Sequence, residues 1–177
     1  MTPDELAEQG RAIDAIDRAF EEAGDPFRVL RSIEVDVFPD GTIDMDEPSL
    51  ASLDLVLGAF HSKLRSTTDE TQRYLAALRQ PRLHVLAHPK ARMYGRRVGL
   101  VADWRRVFAE AARLGKALEL DATVWRQDLN VEMARVARSE GCPGSRSEAT
   151  RIPRTSSSSC RSGWRRPRSP GSTGSRS

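Results

Sequence analysis

Three residues of types that commonly bind metal ions lie near or just after the ends of predicted strands in this sequence. Glu34 lies near the end of an apolar strand, His61 directly follows the run Leu53–Phe60, and His88 directly follows Leu83–Ala87. Because the carboxyl ends of parallel strands form one edge of a sheet, we expect the three side chains to meet there. Imidazole and carboxylate groups together suit Zn²⁺, Mn²⁺ or Fe. A single His is more often structural, but three candidate ligands at one edge predict a metal site.

The remaining polar residues near strand ends have less specific roles. His84 starts its strand without such neighbours, which indicates a structural or exposed side chain. Asp36 lies close to Glu34, and Glu119 and Asp121 end the next predicted strand. The sequence offers no Ser-His-Asp or Cys-His set typical of nucleophilic catalysis. A metal site is therefore the strongest candidate for chemistry.

The elements that would position these residues alternate between strands and helices. Thr2-Pro3-Asp4-Glu5 combines a hydroxyl N-cap, a first-turn proline and acidic residues, which predict the start of a helix that Gly24-Asp25-Pro26 ends. The later predicted elements are a strand over residues 27–38, a strand over 53–60, a helix over 67–79 capped by Thr68, a strand over 83–87, a helix over 103–114, a strand over 117–120 and a helix over 130–139. This order predicts an α/β fold with a parallel sheet, either open or closed into a barrel.

Length and charge indicate one globular domain followed by a different kind of segment. The chain has 177 residues and a net charge of +3, but residues 141–177 contain eight Arg and one acidic residue, which leaves a net charge of −4 on the rest. This end also holds eleven Ser and both cysteines, Cys142 and Cys160, with few aliphatic residues. Such a composition cannot bury enough apolar surface to fold. We therefore predict a domain over residues 1–141 and a disordered Ser/Arg-rich tail over 142–177.

The sequence contains no signal for a membrane or an oxidising compartment. No apolar run approaches the roughly 20 residues needed to span a bilayer. The first ten residues are acidic and lack the apolar segment of a secretory signal. Two cysteines in the Ser/Arg-rich end do not indicate a disulfide framework. We expect a cytoplasmic protein without a membrane partner.

Four short segments, in order and with natural spacing, resemble the PHP (polymerase and histidinol phosphatase) superfamily. They are Ile33-Glu34-Val35-Asp36, the turn Pro39-Asp40-Gly41-Thr42-Ile43-Asp44, Leu53-Asp54-Leu55-Val56 leading to His61-Ser62-Lys63-Leu64-Arg65, and His84-Val85-Leu86-Ala87-His88-Pro89. The resemblance covers roughly residues 3–141. Around His61 it is most similar to the PHP domain attached to bacterial family X DNA polymerases and to free-standing PHP phosphoesterases.

The resemblance implies a distorted β/α barrel of seven strands with two or three Zn or Mn ions at the strand ends. Members hydrolyse phosphate esters, such as histidinol phosphate, small phosphomonoesters or the 3′ ends of DNA. Glu34 matches the carboxylate that bridges metals, and His61 and His88 match ligands of single metals. The resemblance further suggests side chains that contact substrate phosphate and carboxylates that orient the imidazoles. The phosphate candidates are Lys63, Arg65, Arg92, Arg96 and Arg97, for which a solvated surface is the alternative; the orienting candidates are Asp36, Glu119 and Asp121, for which core or cap roles are equally open.

Several ligands that the family pattern implies have no match in this sequence. The family's first strand ends in His-x-His and its last carries Asp-x-His, whereas the only histidines here are His61, His84 and His88. We therefore expect impaired activity and a domain truncated at its N-terminus, with open sheet edges and marginal stability. The competing interpretation is a non-catalytic remnant or a binding module that contacts nucleic acid through its basic tail.

The Ser/Arg-rich end is compatible with a shifted reading frame. Reading the codons of residues 149–152 one register out permits Asp-Ala-His, the motif that the family carries at this point. The high Arg content, with 25 Arg against 3 Lys, suits a GC-rich gene. We therefore predict that residues from about 143 onward are a frameshift product, which the nucleotide sequence would test.

Overall fold

The computed structural model of this chain describes residues 2–121, 125–126 and 128–142. Their elements are, in order, α1 Pro3–Glu22, β1 Ser32–Asp36, α2 Glu47–Ala51, β2 Leu55–Ala59, α3 Thr71–Leu78, β3 Val85–Leu86, α4 Trp104–Arg113, β4 Ala117–Leu118 and α5 Val131–Ser139. The four strands form one sheet in the order β1-β2-β3-β4, and every neighbouring pair is parallel. The predicted α/β fold with parallel strands and flanking helices is confirmed. Within the described residues the sheet does not close into a barrel.

The start of α1 follows the predicted capping chemistry. The Thr2 hydroxyl accepts a hydrogen bond from the backbone N–H of Glu5 at 3.3 Å, and the Glu5 carboxylate accepts one from the backbone N–H of Thr2 at 2.7 Å. This reciprocal pair satisfies two N–H groups that a helix start leaves unpaired. Leu6 and Ile13, which lie on one face of the helix, are buried.

The first strand is shorter than predicted, because backbone N–H groups within residues 27–31 form hydrogen bonds with side chains. The backbone N–H of Val29 donates to Asp17 at 2.8 Å, and that of Arg31 donates to Asp54 at 3.0 Å. These bonds replace the ladder that a neighbouring strand would supply. The prediction of a strand beginning at Phe27 is therefore wrong by five residues.

The predicted cap of α3 at Thr68 is also wrong. The helix begins at Thr71, and Asp69 accepts a hydrogen bond from the Thr71 backbone N–H at 2.8 Å. The Thr68 hydroxyl instead lies 2.9 Å from that of Ser66. Thr71 also accepts a hydrogen bond from the backbone N–H of Asp103 at 2.8 Å, which ties the start of α3 to the start of α4.

The core lies where α3, α4 and α5 pack in succession beside the sheet. Its largest side chains are Phe60, Tyr74 and Phe108, with 4.9 Å between the ring centroids of Phe60 and Tyr74. Cys142, which the sequence assigns to the tail, is buried in this core, and its thiol donates to the carbonyl of Phe108 at 3.0 Å. The packed domain therefore extends at least one residue beyond the predicted boundary.

The structure bears differently on the predictions about the C-terminal segment and about the membrane. Residues 143–177, for which we predicted a disordered and frameshifted segment, lie outside the described residues, and that prediction stays open. Among the described helices, none is long and apolar enough to cross a membrane.

Replacing Gly41 by Ala is expected to lower the free energy of unfolding by about 2–4 kcal/mol, because two penalties combine. Gly41 has φ +87°, and a Cβ atom there would lie 2.4 Å from the Cβ and 2.8 Å from the carbonyl carbon of Ala76 in α3. Gly24 has φ +71° and open space around it, so Gly24→Ala is expected to cost only about 1–2 kcal/mol. Urea denaturation of both variants measures the difference. Equal losses would show that the turn does not press against α3.

Candidate metal centre

Glu34, His61 and His88 meet at the carboxyl edge of the sheet. Glu34 lies within β1, and His61 and His88 each follow the last residue of β2 and β3 by two positions. Glu34 Oε1 lies 3.4 Å from Nε2 of His61 and 3.5 Å from Nε2 of His88. One ligand atom from each residue falls within 4.8 Å of the other two. The three side chains lie close together because the strands are parallel, so the residues that follow each strand lie at the same edge of the sheet.

The three side chains fit a divalent metal ion. Bonds of 2.0–2.1 Å in a tetrahedral site place neighbouring ligand atoms about 3.3 Å apart, close to the two distances from Glu34 Oε1. The side chain of His88 is 9% exposed, whereas those of Glu34 and His61 are 43% and 48% exposed. The cluster is therefore buried on the side of His88 and open to solvent on the side of Glu34 and His61.

Asp36 orients the imidazole of His61. Its Oδ1 accepts a hydrogen bond from Nδ1 of His61. With the proton held on Nδ1, the lone pair of Nε2 points toward Glu34, which is the tautomer that a metal ligand requires.

We expect Asp36→Asn to weaken binding of Zn²⁺ or Mn²⁺ by about 10- to 100-fold, because the amide lacks the charge that holds the His61 tautomer. Calorimetric titration of the metal-free protein with Zn²⁺ or Mn²⁺ measures this affinity. Asp40→Asn is the matched control, since Asp40 accepts from Thr42 in the next turn and does not belong to the cluster. Unchanged affinity in Asp36→Asn would remove Asp36 from the site.

His88 is positioned by its backbone and not by a carboxylate behind its ring. Its φ of 42° lies in the left-handed region, as does the φ of 51° at Ala91. Nδ1 of His88 is buried and has no hydrogen-bond partner among the described residues. Such backbone conformations cost of order 1–3 kcal/mol each and persist only where the surroundings impose them. The neighbours of the loop therefore determine where this imidazole lies.

Three side chains from other parts of the chain hold the loop that begins at His88. Glu119 accepts from the backbone N–H of His88 at 2.8 Å, and the Tyr74 hydroxyl donates to the carbonyl of Pro89. Asp128, which is fully buried, accepts from the backbone N–H groups of residues 90 and 92 at 2.6 and 2.9 Å. Burial raises the pKa of Asp128, and the two backbone hydrogen bonds oppose that shift. Together these contacts impose the strained conformation at His88.

Asp128 and Arg73 are site-supporting residues that the sequence analysis missed. Arg73 has a side chain only 3% exposed; its Nη2 donates to the carbonyl of Ser62 at 3.1 Å, and its guanidinium carbon lies 4.1 Å above the Phe60 ring. These contacts hold the residues on either side of His61. Neither residue had a local signal, since the hydrogen bonds by which they hold the site join residues 11 or more positions apart.

The other predicted site residues lie around the cluster in different settings. Burial raises the pKa of Glu119, and its hydrogen bond from His88 opposes the shift. Asp121 lies 3.7 Å from Nε of Arg126 and forms an ion pair with it. His84 accepts from the backbone N–H of Val56 through Nδ1 at 3.0 Å, which is a structural role.

The predicted phosphate-binding residues lie on the loops that follow His61 and His88. Lys63, with φ 53°, and Arg65 are exposed on the first loop. On the second loop, Arg96 is exposed, whereas Arg92 is partly buried and donates from Nε to the carbonyl of Arg126 at 3.1 Å. Both loops follow strands at the carboxyl edge of the sheet, which is the edge that carries the cluster.

Comparison with known proteins gives relatives of two kinds. The chain is 34% identical over 142 residues to the DNA polymerase/3′-5′ exonuclease PolX of Bacillus subtilis, which is 80% of this chain and 24% of that protein. It is 30% identical over 98 residues to a probable phosphatase of Syntrophotalea carbinolica, covering 53% of this chain and 38% of that protein. A probable phosphatase of Photobacterium profundum is 31% identical over 97 residues, covering 52% and 37%.

The chain thus spans about a quarter of the length of the polymerase and somewhat over a third of the length of the phosphatases. A scan against models of known families gave no match. The relatives nevertheless agree with the four sequence segments and with the Glu34, His61 and His88 cluster at the edge of a parallel sheet. On these grounds the relatives and the site together support a PHP-type domain in this chain.

Proposed function

We propose that this chain carries the site of a metal-dependent phosphoester hydrolase of the PHP type, acting on a small phosphomonoester or on the 3′ end of a DNA strand. The observation that carries the proposal is the convergence of Glu34 Oε1 with two imidazole Nε2 atoms at 3.4 and 3.5 Å. The names of the relatives, an exonuclease and two phosphatases, support hydrolysis of phosphate esters.

The residues of the cluster have separate roles in this proposal. Glu34, His61 and His88 would hold a Zn or Mn ion, which supplies Lewis acidity and an acidified water when bound. Glu34 contributes the negative charge, and Asp36 holds the His61 proton on Nδ1. The loop contacts of Glu119 and Asp128 keep His88 in place. Lys63, Arg65, Arg92 and Arg96 bind phosphate oxygens, where their charge offsets that of the ester.

We propose that hydrolysis is slower here than in PHP proteins with the full ligand set. The chain contains three His in all, and one of them, His84, serves the sheet. Three ligands suit a single ion, whereas the cluster of two or three ions implied by the family pattern takes more imidazoles. Loss of a second ion removes one of the two clamps on the attacking and leaving oxygens.

The test is metal binding and hydrolysis by the purified full chain. After chelation, the protein is titrated with Zn²⁺ or Mn²⁺ and assayed on an aryl phosphate and on a short single-stranded DNA. We expect about one ion per chain and hydrolysis that requires it. A chain that binds no ion at micromolar metal, and hydrolyses neither substrate, would instead be a non-catalytic remnant or a binding module.

A further inference from the structure

The outer edge of β1 carries backbone groups that point away from the sheet. Among the described strands, β1 comes first in the sheet and pairs with β2 alone. The backbone N–H of Val37 donates to the carbonyl of Ala59 at 2.8 Å, so the odd-numbered residues of this segment direct their N–H and C=O groups toward β2. The even-numbered residues of β1, which are Ser32, Glu34 and Asp36, therefore direct theirs to the other side.

Only the end of this outer edge is covered. The chain doubles back after β1, and the carbonyl of Asp36 accepts from the backbone N–H of Asp44 at 3.0 Å. Ser32 and Glu34 lie before this point; both are exposed, and neither has an outward backbone hydrogen bond to another described residue. Two N–H and two C=O groups are therefore available to a further strand, and strand edges of this kind associate with other chains.

Apolar side chains near this edge are incompletely buried. Ile33 is partly buried and packs against the core cluster that contains Leu50 of α2. Leu30 and Phe27, which precede β1, are 44% and 55% exposed. A partner that covered these side chains would remove apolar surface from water, which favours association.

We propose that a second copy of this chain pairs with this edge, β1 against β1 and antiparallel, about a two-fold axis at Ile33. In this register Ser32 of each copy lies opposite Glu34 of the other, and each such pair exchanges two hydrogen bonds. All four available groups of each copy are then satisfied. Ile33 meets Ile33 of the other copy across the axis, and such apolar cross-strand pairs stabilise a sheet.

The other symmetric registers fit less well. An axis at Glu34 places two carboxylates directly opposite each other and brings Ser32 to Asp36, whose carbonyl already accepts from Asp44. An axis at Ser32 leaves Glu34 outside the paired residues. The backbone groups and the charges therefore favour the axis at Ile33.

The pairing would join two four-stranded sheets into one. Ser32 and Glu34 lie on one face of β1, so the Glu34 residues of the two copies become diagonal neighbours, about 7–8 Å apart. The two metal clusters would then be neighbours on the same face. This proposal goes beyond the hydrolase and does not depend on it.

Sedimentation equilibrium of the full chain in EDTA tests the pairing. We expect reversible dimers at about 10–100 µM, since so short a paired edge gives an interface of the weak class. Ser32→Pro removes an N–H that forms no hydrogen bond within the fold, so an edge strand should tolerate it. It removes two hydrogen bonds from the dimer, and we expect dimerisation to weaken at least about tenfold. Ser32→Ala keeps the N–H and is the matched control, expected to dimerise as the wild type does.

Charge variants test the register. Ser32→Lys places an ammonium opposite the carboxylate of Glu34 twice in each dimer and is expected to strengthen dimerisation by about twofold or more. Ser32→Asp places like charges there and is expected to weaken it by a similar factor. Both effects should shrink at high salt. Ser139→Lys and Ser139→Asp are the controls, because Ser139 is exposed at the end of α5 and its variants change the net charge equally.

Each outcome decides for or against the paired edge. A chain that stays monomeric over this range overturns the proposal, as does equal dimerisation by Ser32→Pro and Ser32→Ala. Shifts in the same direction for Ser32→Lys and Ser32→Asp, or equally large shifts in the Ser139 variants, also overturn it. If circular dichroism shows that Ser32→Pro does not fold, the charge variants decide alone. Dimers that never hydrolyse an aryl phosphate would keep the surface and lose the proposed enzyme, and hydrolysis by a monomer would do the reverse.

Discussion

Replacing Glu34 by Gln is expected to lower the affinity for Zn²⁺ or Mn²⁺, and metal-dependent hydrolysis of an aryl phosphate, by at least about 100-fold. Glu34 is the residue that both imidazoles approach, at 3.4 and 3.5 Å, and it supplies the only negative charge of the triad. Glutamine keeps the shape but presents a neutral amide. Losing a ligand should cost at least as much as losing a residue that orients one, which itself costs about 10- to 100-fold.

The matched control is Glu47→Gln. Glu47 is also an exposed carboxylate with a cationic partner, Arg82 at 2.7 Å, but it lies in α2 and not in the cluster. The control is expected to bind metal as the wild type does, and an exposed ion pair contributes only about 0–1 kcal/mol to stability. If Glu34→Gln and Glu47→Gln behaved alike, the triad would not be the metal site.

Asp128→Ala is expected to reduce the free energy of unfolding by about 2–5 kcal/mol and metal affinity by about 10- to 100-fold. The first effect follows because the backbone N–H groups of residues 90 and 92 would lose their acceptor inside the protein. The second follows because His88, at φ 42°, would lose part of the framework that imposes its conformation. Urea denaturation measures the first effect and metal titration the second.

Two variants make this result specific. Asp103→Ala removes the N-cap of α4, which accepts from Arg106 at 3.1 Å, and is expected to cost about 1 kcal/mol without altering metal affinity. Asp128→Asn keeps one carbonyl acceptor and is expected to fall between wild type and Asp128→Ala in both measurements. Metal affinity equal to that of Asp103→Ala would make Asp128 a purely structural residue.

Local pattern predicted the elements but not their limits. Leu55–Ala59 is an apolar run because β2 lies between β1 and β3, and its sequence alone indicates a buried strand. Residues 27–31 also resemble a strand, yet Asp17 and Asp54 pair with their backbone instead. Those carboxylates come from distant positions in the chain, so no window around Phe27 could have excluded a strand.

The same distinction applies to the candidate site. His61 and His88 could be chosen because each directly follows an apolar run, and parallel strands end at a common edge. Asp36 is two residues from Glu34 in the sequence, so it could also be predicted as a residue of the site. Arg73 and Asp128 could not be predicted in this way. Arg73 donates to the carbonyl of Ser62, and Asp128 accepts from backbone N–H groups, and such backbone contacts have no sequence signature.

The sequence by itself predicted the parallel α/β class, the resemblance to PHP-type domains and the three residues that meet at the sheet edge. Each depends on residue types at short spacing, such as a strand followed by His, and these are visible in a linear pattern. Only the tertiary structure decided which nitrogen of His61 faces Glu34 and why His88 adopts a left-handed conformation. Those features arise from contacts between residues 15 to 38 positions apart, which exist only once the chain has folded.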